Sequence, residues 1–477
     1  MTTDAFPSLI IRADGFEARG AFAESQAEYL QPDAGTVADL TALLKEKNAG
    51  VVAHFYMDAE LQGVLTASDW PHVAISDSLV MADAAVRMAE AGATSVVVLG
   101  VDFMSENVRA VMDHAGFAHV PVYRVQASPI GCSLAESAQA TAYGAWLHQA
   151  SASDNPLHVI YINTGLDVKA RSHAVVPTLT CTSSNVVRTI LQADAQIPDL
   201  HVYYGPDTYM GRNLESLFAS LAAGPDADVA SLHPEHTAAT VADLLHRFEY
   251  FKQGSCVVHH MFGDDVVARV RADYADCYHT AHLEVPGEMF ELAAEAQRAD
   301  RGVVGSTSNI LNFIAAKTDE ALARQGDATL RFVLGTEAGM VTAIVKRIRD
   351  QLLASGRSDV AVEIIFPVAS EAVAQTDELG LGIIPGVAGG EGCSTAGGCA
   401  TCPYMKMNSL DALFDVLDAV ASEAASVKLQ AFEPKKYTEQ VKGRSMADLG
   451  SEPILHMRHF QRTGRLPDAL VEQVESA

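Results

Sequence analysis

The chain is poor in basic residues and has no long apolar run, and each shortage excludes a class of protein. Its 477 residues include 33 Lys and Arg against 60 Asp and Glu, a formal net charge of −27. Such a field repels nucleic acid and anionic membranes, so we expect neither as a partner. The longest apolar runs also fall far short of the ~20 residues that a membrane-spanning helix needs.

Cysteine is scarce as well, with seven in the whole chain, which excludes a disulfide-dense secreted scaffold. The first residues lack the basic start and apolar core of a secretory signal. Both observations predict a cytoplasmic protein in a reducing compartment, where cysteines bind metals, act in catalysis or lie buried. Hydrophobic residues are plentiful at 49%, and the length suits about three domains, each with its own core.

Four short motifs occur three times in the same order, which predicts three similar domains. The first is an apolar run ending in polar residues, at 53–56, 160–163 and 281–284. The second is Ser/Thr-x-Ser, at 76–78, 182–184 and 306–308. The third is Gly-x-acid with a Met close behind, at 100–104, 205–210 and 335–340. The fourth ends in a cysteine, namely Cys132, Cys256 or Cys402.

Short β-rich segments alternate with Ala-rich helical segments from residue 50 onward, after an irregular leader and a first helix in residues 1–45. The strand candidates are Val51–Tyr56, Ser95–Val101, Val120–Val125, His158–Asn163, His201–Gly205, Ser255–His259, Thr329–Gly335 and Val360–Val368. Apolar strands separated by helices predict an α/β fold with parallel sheets. Ligands of such sheets bind at the carboxyl ends of the strands, where the polar residues of the repeat fall.

The second motif has two interpretations. Hydroxyls and open backbone N–H groups at a helix start can bind a phosphate or carboxylate, or the hydroxyl can serve as an ordinary N-cap. Convergence of three such helix starts on one centre would favour anion binding in at least one copy.

One thiolate per repeat predicts a single shared metal centre. Residues 390–408 contain neither a four-ligand zinc pattern nor a fourth close cysteine for a ferredoxin-type cluster. A 4Fe–4S cluster held by Cys132, Cys256 and Cys402 would leave one iron open as a Lewis acid for dehydration. Cys393 and Cys399 then form a reversible disulfide or have no role, and Cys181 and Cys277 are expected to be buried.

Taken in order, these motifs give the chain a family resemblance from about residue 45 to about 415. The matching segments are 53–56 with Glu60 and Gln62, 76–79, 100–104, 131–133, 161–164 with 168–170, 181–185, 206–212, 256–259, 305–308 and 402–408. The chain resembles the quinolinate synthase family of de novo NAD biosynthesis. Leu283 departs from this pattern, because the family usually has proline there in a His-Pro-Glu motif.

The resemblance implies three α/β/α sandwich domains in a pseudo-threefold arrangement around a central active site. The repeats would be domains at 46–137, 138–260 and 261–415, between the leader 1–45 and a helical tail 416–477. The implied reaction condenses iminoaspartate with dihydroxyacetone phosphate to quinolinate on a 4Fe–4S cluster. An aspartate-oxidising enzyme would supply the iminoaspartate.

The resemblance also implies roles for individual residues. Cys132, Cys256 and Cys402 would be the cluster ligands, and Tyr56, Tyr161 and Glu284 would move protons. The side chains that would line the site are His54, Asn163, His259 and His282. Ser78 and Ser183 would hold the phosphate or a carboxylate, and Ser306 and Thr307 would hold the other carboxylate. A hydratase–isomerase with the same open iron and a non-enzymatic iron–sulfur sensor remain as alternatives.

Overall fold

A computed structural model of the chain describes residues 5–254, 256, 262–367, 402, 404–420 and 426–477. The chain divides into two compact units, each assembled from separate stretches of sequence. The first comprises Met1–Ala49, Ala53–Ile75 and Val257–Ser426, and the second Gly50–Val52, Ser76–Cys256 and Val427–Ala477. Across the described residues, no helix combines the length and the apolar character that crossing a membrane requires.

The strands have the following bounds. In the first half of the chain they are β1 Ser8–Ile11, β2 Phe16–Arg19, β3 Ala49–His54, β4 Val73–Ser76, β5 Ser95–Leu99, β6 Val122–Arg124, β7 Pro156–Tyr161 and β8 Thr178–Cys181. The others are β9 His201–Gly205, β10 Phe248–Tyr250, β11 Tyr278–His282, β12 Gly302–Gly305, β13 Ala328–Gly335, β14 Val360–Ile365, β15 Gln440–Val441 and β16 Arg444–Ser445.

The helices are interspersed with these strands. The earlier ones are α1 Ala21–Glu28, α2 Ala34–Lys47, α3 Ala59–Ala67, α4 Ser78–Glu90, α5 Asp102–His114, α6 Ser133–Ser137, α7 Thr141–Ala150, α8 Leu166–Val175, α9 Val186–Gln196 and α10 Thr208–Ala222. The later ones are α11 Asp226–Leu232, α12 Ala238–Leu245, α13 Asp264–Asp273, α14 Gly287–Arg298, α15 Thr307–Ala323, α16 Val341–Ser355, α17 Leu410–Ala419, α18 Ser426–Leu429, α19 Met446–Thr463 and α20 Asp468–Glu475. Short 3₁₀ helices span Ala338–Met340, Met405–Met407 and Gln430–Phe432.

The first unit contains a six-stranded sheet in the order β12-β11-β13-β14-β1-β2. The four strands from β12 to β14 are parallel, with Ala281 opposite Val304 on one side and Gly335 on the other. β1 and β2 are antiparallel additions at the β14 edge.

The second unit contains a parallel four-stranded sheet in the order β10-β9-β7-β8. A further sheet has the order β4-β3-β5-β6, and β15 and β16 form a two-stranded hairpin. Helix α19 packs against α8 and β8, where Met446 and Leu449 join Ala170 in a buried apolar cluster. Gly450 allows the close approach, because a Cβ there would lie 2.3 Å from the carbonyl oxygen of Leu166.

The predicted α/β fold with parallel sheets is confirmed. β9 has the predicted bounds, and β5 and β14 are buried along their whole length, as the apolar runs indicate. Residues 8–19 differ, since they form β1 and β2 rather than an irregular leader. The predicted strand Ser255–His259 lies largely outside the described residues.

An aromatic cluster surrounds His158 in the core of the second unit. The His158 side chain is fully buried in β7 beside Tyr143 and Trp146. Nε2 of His158 lies 2.8 Å from the Tyr143 hydroxyl, and its Nδ1 lies 3.3 Å from the Thr178 hydroxyl. Burial, and then the charge of His173, lower the pKa of His158 to about 3, so the ring is neutral.

The second unit should therefore lose stability in mild acid. The folded pKa of His158 lies below the unfolded value of about 6.5, so the unfolded state binds the proton more readily. The free energy of unfolding contributed by the neutral His158 ring is fully present above pH 6.5. It falls by roughly 1 kcal/mol per pH unit as the pH drops towards 3. We expect H158Q to lower stability at pH 7 and to flatten this decline in urea unfolding at pH 4.5–7. An equally steep decline in H158Q would contradict the assignment.

Candidate functional site

Polar residues follow three neighbouring strands of the six-stranded sheet. β11 ends at His282 and lies between β12 and β13, parallel to both. β12 ends at Gly305, just before Ser306, and β13 ends at Gly335, two residues before Glu337. Carboxyl ends of parallel strands meet at one edge of a sheet, and that edge is where α/β proteins bind ligands.

Leu283 stabilises this edge through its backbone. Its N–H donates to the carbonyl of Gly305 at 3.0 Å and extends the pairing of β11 with β12 by one residue. Proline has no N–H and could not make this bond. The departure from His-Pro-Glu thus adds a main-chain bond between the two strand ends.

Two histidines of the first unit make the same local hydrogen bond. Nδ1 of His54 accepts the backbone N–H of Tyr56 at 3.2 Å, and Nδ1 of His282 accepts that of Glu284 at 3.3 Å. A ring nitrogen that accepts carries no proton, so the proton of each neutral ring is on Nε2. An Nε2–H group is a donor suited to a carbonyl or carboxylate oxygen of a ligand.

Burial keeps both rings neutral. His54 is 8% exposed and His282 is 1% exposed. Burial, with a smaller contribution from the neighbouring His282, lowers the pKa of His54 to about 3. Burial lowers the pKa of His282 to about 3 as well. The 3.5 Å contact of His282 Nδ1 with Glu284 Oε1 therefore involves an uncharged ring.

Glu284 and Glu337 form a buried pair of carboxyl groups, each only 3% exposed. Burial and the charge of Glu284 raise the pKa of Glu337 well above its usual range, against the opposing effect of the Cys402 backbone N–H. The Glu337 carboxyl therefore keeps its proton to a higher pH than an ordinary glutamate does. The pair can therefore donate and accept protons at the strand ends.

Glu337 is not among the site residues predicted from the sequence, although the signal for it is present. It is the acid of the third motif, and this acid begins a helix in each copy. Asp102 starts α5 and pairs with Arg124 at 2.5 Å. Asp207 caps α10, and burial raises its pKa to about 7. The acid of the third motif thus lies at the same place in each copy, at a helix start that follows a strand.

Gln62 joins the segment after β3 to the turn after β13. Its Nε2 lies 2.8 Å from the Phe55 oxygen, 2.9 Å from the Met57 oxygen and 2.7 Å from the Gly339 oxygen. A Cβ at Gly339 would lie 2.7 Å from Cα of Tyr56, so only glycine allows this approach. These contacts fix Tyr56 beside the turn that follows Glu337.

The three copies of the second motif start their helices in different ways, and only α4 and α15 have a side-chain cap. Asp77 caps α4 by accepting from Leu79 and Val80, so Ser78 is the first helical residue and is buried. Ser183 precedes α9 and is half-buried, while the neighbouring Thr182 and Ser184 hydroxyls lie 2.8 Å apart.

Ser306 forms a capping box with Asn309 at the start of α15. Its hydroxyl accepts the Asn309 N–H at 3.3 Å, and its own N–H donates to Asn309 Oδ1 at 2.9 Å. Thr307 follows as the first helical residue and is 7% exposed. The Ser306 hydroxyl thus takes part in an ordinary cap, and anion binding at the three helix starts stays a prediction.

Tyr161 and Asn163 lie at the carboxyl end of β7 in the second unit. Tyr161 is 5% exposed and Asn163 is half-buried. The Thr164 hydroxyl donates to the Tyr161 carbonyl at 3.0 Å, and the Ile162 N–H donates to the Cys181 carbonyl at 2.9 Å. The backbone that carries the two predicted residues is thus held from both sides.

The cysteines fall into two groups. Cys132, Cys256 and Cys402 are half-buried, whereas Cys181 and Cys277 are buried, and none of the five forms a disulfide. Burial raises the pKa of Cys277 to about 12, which makes it a poor thiolate. Partly accessible thiols suit metal ligation, so the donor chemistry of the first group fits an iron–sulfur cluster.

Among the described residues, Cys132, Cys256 and Cys402 are not brought together as one metal site. Within the described ranges, no three His, Cys, Asp or Glu side chains form a group that could hold a metal ion. The predicted residues His259, Cys393 and Cys399 lie outside the described residues. The ligand set therefore stays a prediction.

A family model and several known proteins that this chain resembles all point to the same family. Residues 38–441 match the family described as quinolinate synthetase A protein. The chain is 54% identical to a chloroplastic quinolinate synthase of Nicotiana tabacum over 99% of its own length and 67% of that protein. It is 54% identical to the chloroplastic enzyme of Arabidopsis thaliana, with the same coverage. A quinolinate synthase of Nostoc punctiforme is 26% identical over 66% of the chain and 75% of that protein.

The prediction of a cytoplasmic protein is wrong. The tobacco, Arabidopsis and rice relatives, at 52–54% identity, are all named chloroplastic. The error has a physical reason: a low cysteine count indicates a reducing compartment but does not say which one.

Proposed function

The chain belongs to the quinolinate synthetase A family, and we propose that it condenses iminoaspartate with dihydroxyacetone phosphate. The products would be quinolinate, one phosphate and two waters, so that all seven carbons of the substrates enter the product. Quinolinate synthase activity places the chain in NAD biosynthesis. We also propose that an aspartate-oxidising enzyme supplies the iminoaspartate and that the chain acts in a plastid.

The observation that best supports this reaction is the buried group of His54, His282, Glu284 and Glu337 in the first unit. Condensation and ring closure require carbonyl oxygens to be held while protons move between carbon, nitrogen and oxygen. Neutral Nε2–H groups can hold those oxygens, and the carboxyl pair can exchange the protons.

Proton transfer is assigned to Glu284, Tyr56 and Tyr161. Glu284 acts electrostatically on Glu337, whose raised pKa helps it to hold a proton, so the two carboxyl groups together could take up a proton in one step and release it in the next. Tyr56 packs edge-on against the His54 ring at 4.7 Å between centroids, a contact that orients it. Tyr161 would serve the steps nearer the second unit's strand ends.

Substrate binding is assigned to polar residues at strand ends and helix starts. His54, His282 and Asn163 would hold carbonyl and carboxylate oxygens, together with His259. Ser78 and Ser183 would hold the phosphate or a carboxylate, and Ser306 with Thr307 would hold the other carboxylate. Backbone N–H groups at helix starts suit this task because they bind anions without a basic side chain.

Cys132, Cys256 and Cys402 would hold a 4Fe–4S cluster. With three protein ligands such a cluster supplies Lewis-acid chemistry at its open iron, which suits loss of hydroxide from an intermediate. The repeat further supports three α/β/α domains, at 46–137, 138–260 and 261–415, in a pseudo-threefold arrangement. The leader 1–45 and the tail 416–477 would lie outside them.

Anaerobic purification followed by a quinolinate assay tests the proposal. We expect the protein to contain iron and sulfide and to release phosphate and quinolinate in equal amounts from the two substrates. Omission of dihydroxyacetone phosphate should stop both products, which separates this reaction from that of a hydratase–isomerase. Iron-loaded protein that forms no quinolinate from the complete mixture would overturn the proposal.

A further inference from the structure

Lys169 is a fully buried lysine that the proposed reaction does not use. It lies on α8 of the second unit, with 0% exposure. Its Nζ donates to the carbonyl oxygen of Ile162 at 3.1 Å and to that of Thr164. Burying a charged group costs free energy unless hydrogen bonds or an opposite charge compensate it. A buried lysine at this position therefore indicates a structural or functional role.

The two carbonyls that Lys169 binds are on either side of Asn163, which lies two residues beyond the end of β7. Asn107 adds a side-chain contact to the Ile162 oxygen at 3.5 Å from the opposite helix, α5. Segment 161–164 carries Tyr161 and Asn163, the predicted site residues that follow this strand. Two of its main-chain oxygens, those of Ile162 and Thr164, accept hydrogen bonds from the one ammonium group. The path of the backbone at Tyr161 and Asn163 therefore depends on Lys169.

Buried groups around the first turn of α8 support the lysine. Glu106 is 5% exposed, and its carboxylate accepts the Leu166 N–H at 3.0 Å and the Tyr437 hydroxyl at 2.9 Å. Burial lowers the pKa of Lys169 to about 7, while the charges of Glu106 and Asp167 act in the opposite direction. Glu106 thus favours the charged lysine and also fixes the first turn of α8.

Lys317 shows what a structural buried lysine looks like in the same chain. It is 5% exposed, and it pairs with Asp300 at 2.7 Å and Glu320 at 3.0 Å, both of which reach solvent. Lys169 instead donates to two main-chain carbonyls of a segment at a strand end. Lys317 therefore stabilises its helix through surface ion pairs, whereas Lys169 fixes a loop through its main chain.

We propose that Lys169 is a positioning residue for the quinolinate synthase reaction, fixing segment 161–164 so that Tyr161 and Asn163 meet the substrate correctly. This inference rests on the proposed function. Lys169 does not touch substrate, since it is enclosed by its own helix and the segment that it holds. Misplacement of site residues by about 1 Å typically costs about 100-fold in rate.

The test compares K169M, K169Q and the matched control K317M. K169M keeps the length of the side chain but removes both donors, whereas K169Q keeps two N–H donors on a shorter, neutral side chain. We expect kcat/KM per cluster to fall about 100-fold in K169M, with both a lower kcat and a higher KM, and to recover partly in K169Q. K317M should stay within about threefold of the wild type, although it loses stability too.

Hydrogen exchange of the peptide spanning 161–166 gives a readout that does not depend on activity. Faster exchange of this peptide in K169M, but not in K317M, is expected at equal global stability. Two results would overturn the positioning role. One is an unchanged exchange rate of this peptide in K169M, and the other is a kcat/KM in K169M no lower than in K317M. If the wild type makes no quinolinate, the proposed function fails, but the exchange experiment still decides whether Lys169 holds this segment.

Discussion

Replacing Cys132, Cys256 or Cys402 by serine is expected to remove iron, sulfide and quinolinate formation together. A serine hydroxyl does not ionise near neutral pH, so it cannot replace a thiolate on iron. Three ligands are already one fewer than the usual four, which leaves no reserve when one is lost. The loss of activity should therefore be complete in each of the three variants, and the broad visible absorbance of the anaerobic protein should disappear.

Serine variants of the two buried cysteines are the matched controls. Cys181 is 0% exposed and Cys277 is 1% exposed, and the raised pKa of the Cys277 thiol keeps it protonated. C181S and C277S should keep wild-type iron and sulfide per chain. Full cluster content in any one of the first three variants would remove that cysteine from the ligand set.

Replacing Glu284 by glutamine is expected to lower kcat by about 10²–10⁴-fold while leaving the iron content unchanged. An amide has nearly the size of the carboxyl group but can neither take up nor release a proton. The substitution also removes the charge that raises the pKa of Glu337, so the remaining carboxyl group ionises more readily. The variant therefore loses one carboxyl group and weakens the hold of the other on its proton.

E363Q is the matched control, because Glu363 is a buried glutamate of the same sheet. It lies in β14, is 7% exposed, and pairs with Arg331 at 3.1 Å and with the Ser8 hydroxyl at 2.7 Å. E363Q should lower stability and leave kcat near the wild-type value. A near-normal kcat in E284Q, or an equal loss in E363Q, would remove Glu284 from proton transfer.

The sequence predicts the parts of this molecule that depend on local pattern. β5, β9 and β14 follow from apolar runs, and the placement of His282 follows from its position at the end of such a run. β1 could not be predicted in this way, since its partner β14 lies at a distant point of the chain and pairs with it antiparallel. Local pattern also predicts nothing about His158, which is a core residue only because Tyr143 and Thr178 enclose it.

The helix starts show a second limit of prediction. One Ser/Thr-x-Ser pattern leads to three different hydrogen-bonding arrangements, because neighbouring side chains compete for the same N–H groups. Asp77 prevails at α4, Asn185 bonds to Thr182 before α9, and Asn309 binds Ser306 at α15. Glu337 was missed for a related reason: its proximity to Glu284 arises from strand order, which a single motif does not specify.

The composition of the second unit has a consequence during translation. This unit needs Gly50–Val52, Ser76–Cys256 and Val427–Ala477, so its last segment is made only after the intervening segment Val257–Ser426 of the first unit. Until then the face of α8 that receives Met446 and Leu449 stays uncovered, and Glu106 lacks the Tyr437 hydroxyl. Folding of this unit is therefore completed only after residues 427–477 have been made, with apolar surface open to chaperones in the interval.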